Sequence, residues 1–523
     1  MLKKWIVLLL TLIMAISALT GYGISESSQS IAFPLEEPVT YTAMAILWKN
    51  DYPLSKNLTW LQIEKNTNVH FDLIYEFLRE EASDKGKLVM AGGDYPDVVW
   101  KASFLGDTTI TKYGADGVFI PLEDLIREYM PNLTKLMNET NGWIECKAPD
   151  GHIYSLPMYN GSEELGVSNS VYWINQKWMD DLGLAMPTNY EELYTVLKAF
   201  KEDDPNGNGL EDEIPFIGFN GFGSIRNLLG TVGTQYGVQR QAEYMIYTDK
   251  GLEFYPVQDS FKEFLDWMRV FYEEGLIDPN SFTQTDDQRR AVASSGDIIG
   301  MIQGTTAEGV GIHPDAYGNY TPLLPFNPEN YAKSTGLQLN GLSITDKCKD
   351  PEILMAWADW FYTDEGSISA RQGIKDVHWY WNNDGTFSEA ADAPQGDEHA
   401  SYWLTGAATI IMNFQLRNLK MALPENMDIS QIGTLRELEK YKEGGIYNNG
   451  GVILPTLRFT AEEEKDRSVL YTDITAYVDN YCAEAITGVI DLDATWDEFK
   501  KECEEMGYKD LEALYQAADA RNN

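Results

Sequence analysis

The sequence predicts an α/β protein built as two lobes, and two observations carry that expectation. At 523 residues, 44% of them hydrophobic, the chain exceeds what one core organises, since single cores stop growing near roughly 250–300 residues. Strand-like and helix-like runs then alternate along it, the pattern of α/β folds with mainly parallel sheets. Mean hydropathy of -0.32 with 23% charged residues sets aside the disordered and membrane-embedded classes.

The elements follow in order. Lys3 and Lys4 precede an apolar run from Trp5 to Ile16 with small residues after it, which reads as an export signal over residues 1–22. That run is short of the ~20 residues a membrane span needs, and no later stretch is apolar enough. Residues 23–38 are polar and contain two prolines, which suits a linker. Tyr41 to Trp48 reads as a buried strand that ends in the turn-forming run Lys49 to Pro53. Lys85 to Ala91 reads as helix, Gly92 to Asp97 as a turn, and Val98 to Trp100 as the next strand.

Further on, a helix is expected over Asn189–Lys201 with Thr188 as its N-cap, and another over Phe261–Glu274 stopped by Gly275. A third follows Pro351 through Tyr362, where Trp357 and Trp360 are expected in a core; the chain from Ala461 onward is helical and charge-laced. Cys146, Cys348, Cys482 and Cys503 have neither CxxC nor metal-ligand spacing. Buried free thiols are expected, with Cys482 and Cys503 the one pair near in sequence. The balance of 40 basic against 81 acidic residues gives a net charge of -41. Such a surface repels phosphate backbones, and nucleic acid is not an expected partner.

Four stretches carry a resemblance: Ala91-Gly-Gly-Asp-Tyr-Pro-Asp-Val-Val-Trp100, Asp150-Gly-His-Ile-Tyr-Ser-Leu-Pro157, Tyr172 to Thr188, and Pro351 to Gly366. In this order they resemble family 1 of the bacterial extracellular solute-binding proteins, in particular its large Gram-positive branch with alginate- and maltose-binding members. The resemblance implies a two-lobed periplasmic-binding-protein-like fold of type II, with a ligand cleft between lobes joined by crossing strands. It divides the chain into lobe 1 over 39–163 and 336–400, and lobe 2 over 164–335 and 401–523. It implies the binding component of an ABC importer, a monomer that delivers an oligosaccharide to a permease pair in the membrane. Relatives anchored by lipid carry Cys where Tyr22 follows Leu19-Thr-Gly21. The protein is therefore expected at the cell surface or released, with a lipid anchor in doubt.

Ligand residues are expected beyond strand ends, where clefts form in α/β sheets. Trp48, Asn50 and Asp51 resemble the ligand-facing turn of maltose-binding relatives, and Trp100 matches a sugar-stacking tryptophan of the family. Tyr159 and Asn160 lie near the first crossover; Asn220 and Phe222 follow Ile214 to Phe219; Gln303 follows Ile298 to Ile302. Trp379 and Trp381 sit in the aromatic cluster His378 to Asn382. Aromatic faces suit the C–H face of a pyranose.

A calcium loop is expected at 204–213. Asp204, Asn206 and Asn208 fall at positions one, three and five of an EF-hand-like loop, with Gly209 at six. Leu210 offers a backbone carbonyl at seven, and Asp212 and Glu213 follow, earlier than the acid at position twelve of an EF-hand. The spacing resembles the calcium loop of alginate-binding members, and the alternative is a polar turn. The chain has no HExxH, no GxSxG elbow, no P-loop and no GxGxxG after a strand, so an enzyme is not expected. A sugar sensor or adhesion protein without transport is the alternative function.

Overall fold

The structure, a computed structural model, describes residues 30–47, 52–140, 142–159, 171–240, 243–304, 310–333, 336–390, 404, 451–454 and 456–522. Its buried side chains sort into two large cores. One draws on residues between Tyr41 and Tyr159 and between Leu337 and Leu404. The other draws on residues between Tyr172 and Leu323 and between Leu457 and Ala518. These are lobe 1 and lobe 2.

Lobe 1 is organised by a five-stranded sheet in the order Val69–Leu78, Val39–Leu47, Val98–Trp100, Leu337–Ile344, Leu156–Tyr159. The first three strands are parallel, whereas Leu337–Ile344 runs antiparallel to both its neighbours. Lobe 2 has a four-stranded sheet, Tyr320–Pro322, Val171–Asn175, Ile299–Gly304, Ile214–Ile217, in which only the last pair is parallel. The sheets are thus mixed rather than mainly parallel. In lobe 1 the antiparallel strand is the one that returns from the later stretch of chain.

Helix Leu58–Thr67 shows how lobe 1 is held. The Asn57 side chain accepts from the Trp60 N–H at 3.1 Å and caps the helix. Trp60 and Ile63 then face the sheet. Trp60, Phe71, Trp100 and Trp357 pack as one box, with centroids 4.9–6.0 Å apart. Each such pair adds about 0.5–1.5 kcal/mol beyond its area burial. Trp357 is buried as expected, while Trp360 is half-buried at the edge. Helix Arg79–Gly92 begins earlier than the sequence predicts. A Cβ on its Gly86 would meet the Phe104 ring at 2.3 Å. The missing side chain lets the helix press against the turn Ala102–Leu105, which leads into the cleft.

In lobe 2, helix Tyr190–Glu202 is capped by Asn189, whose side chain accepts from the Glu192 N–H at 2.9 Å. Thr188, the expected cap, sits one residue outside and donates to Glu192 Oε2 instead. Helix Asp259–Glu273 ends before Gly275 at φ +68°, the stop its sequence predicts. Helix Ala461–Ile486 opens on a capping box made by Thr460 and Glu463, and helices Leu492–Glu505 and Tyr508–Asn522 complete the lobe. Between the lobes, Ala332–Lys333 pairs in parallel with Val452–Ile453. Among the described residues no helix is long and apolar enough to cross a membrane.

Candidate functional site

The crossing strands floor a cavity of about 750 Å³ that both lobes line, a size suited to a small-molecule ligand. Lobe 1 contributes Lys87 and the run Leu105 to Thr109, where Gly106 at φ +80° turns the chain into helix Asp107–Ala115. The floor is Ala332, Lys333, Leu454 and Thr456. Lobe 2 contributes Arg240 and Glu243 beside its small sheet, Leu457 and Phe459 after the crossing, and Glu464, Arg467 and Tyr515 from the terminal helices.

The lobe 2 face is a prearranged set of rings and ion pairs. Arg467 meets Glu464 through two hydrogen bonds of 2.6 and 2.8 Å, donates to the Tyr515 hydroxyl at 3.1 Å, and lies 4.8 Å over the Phe459 ring. A guanidinium satisfied in this way is fixed in place and already neutralised. Arg240 lies 4.0 Å from Glu243. Burial pushes the Glu243 carboxyl above its ordinary range, against the pull of Arg240 and Arg467. Phe459 meets Tyr515 edge-on at 5.2 Å, so an aromatic wall stands beside paired charges. That combination suits an uncharged ligand with one apolar face and many hydroxyls.

The second candidate site is the loop between helix Tyr190–Glu202 and strand Ile214–Ile217. Asp204, at φ +44°, accepts from the Asn208 N–H at 3.1 Å and the Gly209 N–H at 3.0 Å. Asn206 Oδ1 accepts from the Asn208 N–H at 3.0 Å. The amides of Asn206 and Asn208 both donate to Asp212, at 3.2 and 3.0 Å. Side chains at loop positions one, three, five and nine thus close on one another. Glu213 adds a buried oxygen, Oε1, that finds no donor, and burial followed by the charges of Asp212 and Asp204 raises its pKa. A buried carboxylate oxygen without a partner fits a cation. Leu210 is exposed, and only its carbonyl could serve. Among the described residues no group of three or more His, Cys, Asp or Glu side chains is arranged around a metal position; two of the donors here are asparagines.

Over residues 56–368 the chain matches the model of the bacterial extracellular solute-binding proteins. It belongs to that family. It is 28% identical over 545 residues to the fructooligosaccharide ABC transporter substrate-binding protein FusA of Streptococcus pneumoniae serotype 4, covering 97% of this chain and 96% of that protein. A solved S. pneumoniae FusA, described as an EF-hand mutant in complex with fructo-nystose, is 25% identical, with a TM-score of 0.67 over 92% of this chain and 99% of that one. A solute-binding protein from Bifidobacterium longum infantis, associated with an ABC transporter and human-milk-oligosaccharide binding, shares the two-lobed fold: TM-score 0.77 at 18% identity, over 93% of this chain and 99% of that one.

As a solute-binding protein the chain has expected ligand residues, and the structure distributes them unevenly. Trp48, Asn50, Asp51 and Asn160 lie outside the described residues. Trp100, Phe222 and Trp379 are placed in cores rather than on a cleft surface. Trp100 is fully buried in the aromatic box, and Phe222 belongs to the lobe 2 core. Trp379 is buried in a hairpin, its indole donating to the Gly373 carbonyl at 3.0 Å. All three are buried here, and Trp100 with Trp60 and Phe71 also lines a separate lobe 1 cavity of about 450 Å³. Tyr159 is buried where its strand pairs with Leu337. Trp381 is half-buried on the hairpin, and Asn220 is exposed at φ +54° beyond strand Ile214–Ile217. Gln303 is buried, and its Oε1 accepts no hydrogen bond.

Of those among the described residues, none lines the interlobe cavity. The residues that do, notably Asp107, Arg240, Glu243, Phe459 and Arg467, went unmarked by sequence reasoning. One usable signal was Phe459 directly ahead of a capping box, where the chain re-enters lobe 2. The four cysteines are buried free thiols, as expected.

Proposed function

We propose that this protein captures a neutral oligosaccharide in the interlobe cavity and delivers it, as an exported monomer at the bacterial surface, to an ABC permease pair. The observation that carries this reading is the lobe 2 face, where Phe459 and Tyr515 stand beside guanidinium groups already paired with Glu464 and Glu243. The lining arginines are paired with carboxylates and the -41 net charge repels a uronate, with Lys87 and Lys333 the lining cations that would favour one. Hydroxyls have acidic side chains to bond in Glu243 and Glu464, and the rings offer an apolar face. The relatives' recorded fructo- and milk-oligosaccharide binding supports the same class of ligand. Residues 39–163 with 336–400, and 164–335 with 401–523, act as the two jaws.

Asp204, Asn206, Asn208, Asp212, Glu213 and the Leu210 carbonyl would hold a calcium ion, which neutralises carboxylates and rigidifies the loop. These residues fix the start of strand Ile214–Ile217 in lobe 2 and stand apart from ligand binding.

A thermal-shift series tests the reading, with fructo-oligosaccharides, milk-type oligosaccharides and oligouronates, each with and without calcium. A several-degree rise with a neutral series is expected, since a ligand that binds only the folded state stabilises it. Micromolar capture corresponds to about -8 kcal/mol. A rise with uronates alone overturns the neutral-ligand reading, and no rise with any sugar overturns sugar capture.

A further inference from the structure

Residues far apart in sequence meet on the short strap that leads from crossing strand Val452–Ile453 into helix Ala461–Ile486. Thr456 donates its N–H and its hydroxyl to Glu145 Oε1 of lobe 1, at 3.1 and 3.0 Å. Two residues on, Arg458 is 7% exposed, and its Nη1 stands 3.8 Å from Asp107 Oδ2, also of lobe 1. The Arg458 carbonyl accepts from Arg521 Nη2 at 2.7 Å, and Arg521 pairs with Glu463 at 2.6 Å. The strap is therefore held to lobe 1 by carboxylates and to lobe 2 by the last helix.

Asp107 is the member that also faces the ligand space. It lines the cavity with its side chain 45% exposed, and its Oδ1 accepts from the Asn340 amide. A separation of 3.8 Å is ion-pair range, longer than the ~2.7–2.9 Å of a charge-assisted hydrogen bond. With Asp107 about half exposed, the pair is open to solvent screening. A ligand that displaces that solvent lowers the local dielectric and strengthens the attraction. Arg458, being buried, gains most from a carboxylate in direct contact.

We infer that Asp107 is a positioning residue for ligand capture: filling the cavity draws its carboxylate onto Arg458, and the tightened pair holds the strap and both lobes in the closed arrangement. The inference rests on the capture reading above, though not on which sugar is bound.

The test is a double-mutant cycle on the full chain with Asp107→Asn, Arg458→Gln and both together, and Arg458→Lys as the charge-conserving control. Affinity for the stabilising sugar is measured by calorimetry, and closure by small-angle scattering with and without it. Each single change is expected to weaken binding by about fivefold or more and to reduce ligand-induced compaction, the double being no worse than the singles. Arg458→Lys should keep part of the compaction. Melting temperatures of the ligand-free variants should be near additive, because water screens the pair. Additive affinity losses, full compaction in Asp107→Asn, or strong coupling already present without ligand overturns the inference alone. Absence of any sugar binding by the unaltered chain overturns the capture reading and this inference with it.

Discussion

The two lobes meet the cavity with different equipment. Lobe 1 brings the start of a helix at Gly106 and the small polar side chains Asp107, Thr108 and Thr109. Lobe 2 brings Phe459 just ahead of a capping box, and Tyr515, Glu464 and Arg467 on helices held by that box and by ion pairs. Surfaces built from locked aromatic and Arg groups lose little conformational entropy when a ligand arrives. Under the proposed capture, lobe 2 would be the docking face and lobe 1 the jaw that closes on it. The lobes also differ inside. The aromatic box of lobe 1 packs its core and edges two further cavities, whereas lobe 2 carries the polar loop from Asp204 to Glu213.

The largest expected effect tests whether the aromatic box is only structural. Trp100→Ala opens a cavity among Trp60, Phe71 and Trp357 and should cost about 3–5 kcal/mol of stability, read by urea unfolding. Sugar affinity of the folded protein should stay unchanged. A small stability loss with abolished binding would return Trp100 to the ligand site and erase this difference between the lobes. Next comes the loop in lobe 2. Chelation should lower the melting temperature, by the equivalent of about 2.7 kcal/mol if free calcium stood at a hundred times its Kd. Asp204→Ala should remove the response, and a chelator effect that survives this change would place the cation elsewhere.

The docking-face argument has its own test. Phe459→Ala, which strips the ring from beneath Arg467, should weaken sugar binding roughly tenfold, about 1.4 kcal/mol. Thr108→Ala on the opposite jaw should change it by less than about threefold, about 0.65 kcal/mol, the low end of what a net hydrogen bond contributes. Equal losses by calorimetry would mean that both lobes dock the ligand together.

Local chemistry was legible in the sequence, and long-range assembly was not. The turn Gly92 to Asp97, strand Val98–Trp100 and the stop at Gly275 were readable because glycine and proline constrain the backbone where they stand. The cap at Asn189 was missed by one residue because Thr188 and Asn189 are both cap formers. The fate of Trp100 was not readable. Its burial depends on Trp60 and Trp357, brought to it from 40 residues before and 257 after, as their numbers show. The cavity was hidden for the same reason, since Asp107, Arg240 and Phe459 become neighbours only once both lobes have formed.

The smallest expected effect separates the lobes by pH. On lobe 1, His152 Nδ1 stands 2.7 Å from Glu123 Oε1, and the Ile153 N–H donates to Glu123 Oε2 at 3.1 Å. The hydrogen bond to Glu123 raises the His152 pKa. Burial works to raise that of Glu123, but the bond from His152 and the Ile153 N–H outweigh it, and the carboxyl ends below its ordinary value. A raised histidine pKa stabilises the fold fully below the unfolded value of about 6.5, and the contribution is lost as pH climbs through the raised folded value. The lowered carboxyl acts at the other end: its contribution holds above about 4.5 and is lost as pH falls through the lowered folded value. The pair therefore works between these limits, weakly, because His152 is about half exposed. His152→Gln should lower the melting temperature slightly at pH 6 and not at all at pH 9. The facing Arg467–Glu464 and Arg240–Glu243 pairs of lobe 2 contain no histidine. A melting difference between wild type and His152→Gln that is the same at both pH values would show that the ring acts by packing and not by charge.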